Sequence, residues 1–140
     1  MTSKREDIMA AIATLLAATT GVSGRVYRSR VDAVRREESP AIILEQLEDR
    51  VEFTSIGYFD WSMQFRVSVI TRGDIPDRLA DPVINDIYSR LMADRSLGGL
   101  VMDIEPVAIS FRMSEGDLPA CVSELNFTTK HRTSVTSLEL

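Results

Sequence analysis

The sequence holds one cysteine, Cys121, and one histidine, His131. A lone cysteine excludes an internal disulfide, so the chain fits a reducing compartment or is indifferent to redox state. A lone histidine between Lys130 and Arg132, in a polar strand end, reads as a surface residue, because a catalytic or ligating histidine needs partners. Basic excess is also missing: 16 Lys and Arg face 21 Asp and Glu, for a net charge of −5. That balance argues against a protein that grips nucleic acid across a broad surface, which would need a basic footprint. It does not exclude a protein past which DNA slides, because an acidic wall repels phosphate. No apolar run approaches the ~20 residues of a membrane span. Lys4, Arg5, Glu6 and Asp7 precede the first apolar residues, which is no secretory signal.

Catalytic patterns are missing too. No Gly-x-Ser-x-Gly elbow occurs, and Ser96-Leu97-Gly98-Gly99 reads as a turn and not a phosphate loop. Cys121, beside Ala120 and Val122 at a strand start, reads as an inert buried or half-buried thiol. Asp74, Asp77, Asp81 and Asp86 match no calcium-loop spacing, and helix-start capping accounts for the first three. The expectation is a non-enzyme with no catalytic residue, no metal and no cofactor.

What is present is a globular composition, 44% hydrophobic and 26% charged over 140 residues, which is one domain by length. An ordered core over about 3–133 is expected, with 134–140 a frayed tail. The chain is organised around Tyr58 to Ala93. Phe59, Trp61, Met63, Phe65, Val67 and Val69 stand at every second position, a strand with one apolar face. Three of the nine aromatic residues lie on that face. After the turn 71–76, Ile84, Ile87, Tyr88 and Leu91 mark one side of a helix from Pro76 to Ala93, irregular near Pro82.

Before that unit, Ser3 to Thr19 reads as a helix with a Ser3/Glu6 capping box and a stripe of Ile8, Ile12, Leu15, Leu16 and Thr19. Arg25 to Arg30 reads as a short strand, and Ala41 to Leu47 as a strand covered on both faces. Glu48 to Gly57 is either a surface hairpin connection or an extension of the flanking strands; Phe53 and Ile56 make it a candidate contact loop. After it, Val101 to Met113 changes face at Pro106, which suggests an edge or a bulge. Ser114 to Asp117 is a turn, and Ala120 to Thr133 the last strand. The fold class is α+β: a mixed or mostly antiparallel sheet with two main helices packed on one face.

The densest cationic cluster is Arg25, Arg28, Arg30, Arg35 and Arg36. It is either a solvated face paired with Asp32, Glu37 and Glu38, or a docking surface.

Several stretches, in order, resemble one family. They are Ser3-Lys4-Arg5-Glu6-Asp7-Ile8, Gly24-Arg25-Val26-Tyr27-Arg28-Ser29-Arg30, Pro40-Ala41-Ile42, Thr71-Arg72-Gly73-Asp74, Leu79-Ala80-Asp81-Pro82, Leu91-Met92-Ala93-Asp94, Leu97-Gly98-Gly99-Leu100 and His131-Arg132-Thr133-Ser134. Together they look like the tail terminator proteins of long-tailed bacteriophages, the lambda-like minor tail or tail-completion proteins. The resemblance covers roughly residues 3 to 135. It implies an α+β fold and a homohexameric ring at the head-proximal end of the virion tail, assembled in the bacterial cytoplasm. That ring stops tube growth and joins the head. Its partners are copies of itself, the major tail tube protein and a head-completion or connector protein, with no membrane. DNA passes through without specific binding; six copies carry −30. The family offers no catalytic motif.

A ring subunit needs two different complementary patches. On the residues' own chemistry, the basic 25–36 region and the acidic 45–52 region are candidates for such a pair. Subunit or tube contacts are expected among Arg25, Arg28, Arg30, Arg50, Glu52 and Phe53. Alternatives are another head–tail neck or connector component, or a small-molecule-binding α+β regulatory domain.

Overall fold

The computed structural model describes residues 2–29, 36–114 and 119–139, and only the backbone of Arg36. Ser3 opens the first helix, α1 (Lys4–Ala17), its side chain accepting from the Glu6 N–H at 3.3 Å. The reciprocal half of the expected capping box is not made, because the Glu6 carboxylate is taken by Arg28. Alanines give α1 propensity, and Ile8, Met9, Ile12 and Leu16 are its buried side. Gly21 and Gly24, both at positive φ, turn the chain into β1 (Val26–Arg28).

The Glu48 to Gly57 ambiguity resolves as strand extension. β2 (Ala41–Thr54) and β3 (Tyr58–Arg72) run antiparallel to a tight end at 55–57, with register shifts at 46/48 and 51/53. α2 (Pro76–Ala93) is one element with Pro82 inside it. Its N-cap is Ile75, which makes no side-chain cap bond, so the aspartates nearby do not cap it as expected. β4 (Asp103–Ser114) and β5 (Ala120–Ser134) are antiparallel, with a register shift at Pro106/Ala108 where the face change was expected. The expected 114–117 turn falls mostly outside the described residues.

Among the described residues the sheet has five strands, in the order β1-β2-β3-β5-β4. Only β1 and β2 pair in parallel. The protein is thus α+β, with a mostly antiparallel sheet and helices packed against it. Met63, Phe65, Val67 and Val69 of β3 are fully buried with Leu125 and Phe127 of β5 and the apolar sides of both helices. Phe65 and Phe127 stack at 5.3 Å. Tyr88 is not on that buried side of α2; it is an exposed residue. The opposite sheet face has only a small cluster around Ala41 and Ile70, and a polar network in which Glu124 accepts from Arg66 and Arg112.

The end of the chain is tied down where fraying was expected. The Lys4 N–H donates to the Leu138 carbonyl at 2.8 Å, and Ser134 bridges Ser137. No helix among the described residues is long and apolar enough to cross a membrane.

Candidate interaction surfaces

The helical layer is narrower than the sheet. α1 lies on the β1 side, where Glu6 holds Arg28 through two bonds of 2.6 and 2.9 Å. α2 packs on β3 and β5. Helices pack about 8–10 Å apart and strands about 4.8 Å, so two helices cover about four strands. β4 is the fifth strand and an outer one.

The register shows the result. Ile109, Phe111 and Met113 pair with Leu125, Ser123 and Cys121, residues buried on the helix-bearing face. Yet the three β4 side chains are 45%, 58% and 59% exposed. They form one wall of a cleft of about 540 Å³, and Asp77, Asp81 and Ile84 of α2 form the other. Asp81 accepts only a 3.5 Å bond from Asn85, and neither aspartate has a cation partner among the described residues. Cys121 is at the cleft floor, buried, 3.6 Å from the Ser123 hydroxyl.

A second surface is the end of the β2–β3 hairpin. Ser55 Oγ accepts from the N–H groups of Gly57 and Tyr58 and fixes the turn. Ile56 is fully exposed and Phe53 is 53% exposed. The root is held by Tyr58, whose ring lies tilted against Phe53 at 6.1 Å and carries Arg132 over it at 3.7 Å. Arg132 also pairs with Asp60 at 2.7 Å, which holds that carboxyl below the usual carboxylate range. Thr71, level with Met113 across β5, lies thirteen residues along β3 from Tyr58. At 3.3 Å per residue the hairpin end and the Met113 end of the cleft are therefore about 40 Å apart.

The sequence-predicted residues divide between these places and the fold itself. Arg50, Glu52 and Phe53 come together near the hairpin end, where Arg50 pairs with Glu48 at 3.1 Å on open surface. Arg25 serves the fold: its Nε donates to the carbonyls of Glu38 and Pro40 at 2.8 and 3.1 Å, and its Nη2 to that of Gly21 at 3.2 Å. Arg28 sits on the β1 edge with Glu6, whose carboxyl this bond keeps below its ordinary range. Arg30 lies outside the described residues, as do Asp32 and Arg35.

Two readings need correction. His131 is not a surface residue. It is 3% exposed on the helix-bearing face, its Nδ1 has no hydrogen-bond partner among the described residues, and burial pushes its pKa below the ordinary value. Its place on β5, two residues after the buried Thr129, is what puts it inside. The β4 row and the Asp77–Asp81 wall were missed as a site. The alternation of Ile109, Phe111 and Met113 was visible in sequence, but alternation does not say that no helix covers it.

A separate apolar cleft of about 550 Å³ lies between the helices, lined by Ala10, Thr14, Leu15 and Ala93, with Arg90 and Asp94 at its border. Both charges are engaged, Arg90 by Asp86 at 3.0 Å and Asp94 by Ser96 and Gly98. No group of three or more His, Cys, Asp or Glu side chains that would hold a metal occurs among the described residues. No protein-family model matches the chain, and a search of curated proteins finds no match.

Proposed function

We propose that this chain is a non-enzymatic assembly subunit of a bacteriophage tail, forming a hexameric ring that ends tube growth and offers the surface on which the head joins. The observation that carries this reading is the placement of exposed apolar side chains. Two groups of them stand in unlike places about 40 Å apart, the β4 cleft and the hairpin end. A subunit that both closes a ring and stacks on a tube needs one surface for its neighbour and another for the layer below. The β4 edge suits the first role and the hairpin end, with Phe53 and Ile56, the second. The net charge of −5 per copy suits a hole through which DNA passes without adhering.

The test is the capping of purified tail tubes, scored by electron microscopy as the fraction of tube ends bearing an annulus. The chain caps the ends, and Phe53→Ser with Ile56→Ser lowers the capped fraction without changing the fold. Bare ends at saturating protein would defeat the reading.

The competing reading is a small-molecule-binding regulatory domain, and the cleft between α1 and α2 is what favours it. It predicts a dimer that stays dimeric at all concentrations, and an apolar probe dye displaced from that cleft by Ala10→Trp.

A further inference from the structure

We infer that the cleft beside β4 receives the α1–β1 edge of a neighbouring copy, so that successive sheets join edge to edge and the neighbour's α1 covers Ile109, Phe111 and Met113. This rests on the ring reading and specifies its lateral contact.

Coverage comes first. Within one copy the layers end unevenly: the sheet runs one strand past α2 on the β4 side. At the other end of the sheet, α1 and β1 finish together, joined by the Glu6–Arg28 pair. Setting the second end against the first places a helix over the bare strand and a strand beside its open edge. The same step repeats from copy to copy, because the two ends are unlike. Such a head-to-tail contact closes into a ring when its rotation divides the circle.

Charge selects between the two surfaces available to fill the cleft. Its α2 wall carries Asp77 and Asp81, without cation partners among the described residues. The hairpin stretch 45–52 holds Glu45, Glu48, Asp49 and Glu52 against Arg50 alone, so it would meet like charge. The α1–β1 edge instead presents Arg28 on its surface. That arginine is bound by Glu6 through two of its five N–H donors and stays 38% exposed, so it can serve a second carboxylate. Opposite potentials set register and suppress the wrong pairing.

This differs from the pairing read from the sequence, in which the basic stretch met the acidic 45–52 region. The acidic partner is now the wall of α2, because there two carboxylates stand across a cleft from an uncovered apolar row.

The experiment is molar mass by light scattering on the full chain over a concentration series, with circular dichroism of each variant. Phe111→Glu with Met113→Glu disables the cleft, and Arg28→Glu disables the β1 edge. Wild type reaches about 94 kDa, six times the 15.6 kDa chain. Each folded variant stays at one chain mass. Mixed in equal amounts they form a species of about two chain masses, since each supplies one intact surface. Asp77→Arg with Asp81→Arg, on exposed helix positions, also gives monomers, and adding Arg28→Glu to it restores assembly.

Rings from Phe111→Glu/Met113→Glu as large as wild type would overturn the inference and leave the ring reading standing. A mixture that stays monomeric would overturn the head-to-tail pairing. Wild type that remains one chain mass, both free and on tube ends, would overturn the ring reading and this contact with it. Phe53→Ser leaves the 94 kDa species intact, which separates the lateral contact from the tube contact.

Discussion

Phe65 and Phe111 face the same side of one sheet, so truncating each to alanine measures what covers that side. Phe65 is fully buried and stacks on Phe127 with ring planes 15° apart. Removing such a ring costs about 3–5 kcal/mol, the transfer of its atoms plus the cavity left behind. With a urea slope of about 1–3 kcal/mol per molar, the midpoint falls by about 2 M. Phe111 is 58% exposed. Full burial of a Phe is worth about 1.5–3 kcal/mol, so the part buried here accounts for about 0.6–1.3 kcal/mol. The assay is urea unfolding followed by circular dichroism, at a dilution where light scattering gives one chain mass. Phe65→Ala shifts the midpoint strongly and Phe111→Ala much less. At high concentration the order reverses for assembly, because Phe111→Ala weakens the 94 kDa species. A Phe111→Ala cost in the monomer equal to that of Phe65→Ala would mean that β4 is covered within its own copy, and the reasoning about its open face would fail.

Three further outcomes follow from local geometry. His131 has its folded pKa lowered, first by burial and then by Lys4 and Arg5, with Asp49 opposing. Below about pH 6.5 the unfolded chain takes up a proton that the folded one refuses, so stability is full above 6.5, falls as the pH drops towards the folded value, and levels off beneath it; His131→Asn removes this slope in urea titrations between pH 6.5 and 5. Ser3→Ala removes the cap of α1 and lowers stability by about 1 kcal/mol in the same assay, and an unchanged midpoint would refute the cap. Gly73→Ala places a Cβ 2.6 Å from Leu79 Cδ1, the tip of an exposed side chain that can turn aside, so its thermal midpoint moves by no more than ~2–4 °C, about 1 kcal/mol or less.

Much of this protein follows from its local sequence. A period of two from Phe59 to Val69 has one stable use, a strand with one face in a core, and Met63 to Val69 occupy it. Ser3, the alanines of α1 and the period of Ile84, Ile87 and Leu91 set both helices, because caps, propensity and a 3.6-residue stripe act over neighbouring turns. Pro106 marks its register shift because proline cannot donate to a ladder. Exposure is not local in the same way. His131 looks polar from its neighbours Lys130 and Arg132; alternation sets it on the opposite face from them, and the helices packed on that face make it the buried one. Phe65 and Phe111 have the same pattern around them, and only the strand order, with β4 outermost and both helices spent on the other strands, leaves one buried and the other open. Likewise Asp77 and Asp81 read as helix-start residues until the fold stands them across a cleft from Ile109, Phe111 and Met113. Pattern decides what each segment becomes; which of its faces meets solvent is decided by the neighbours that the topology assigns it.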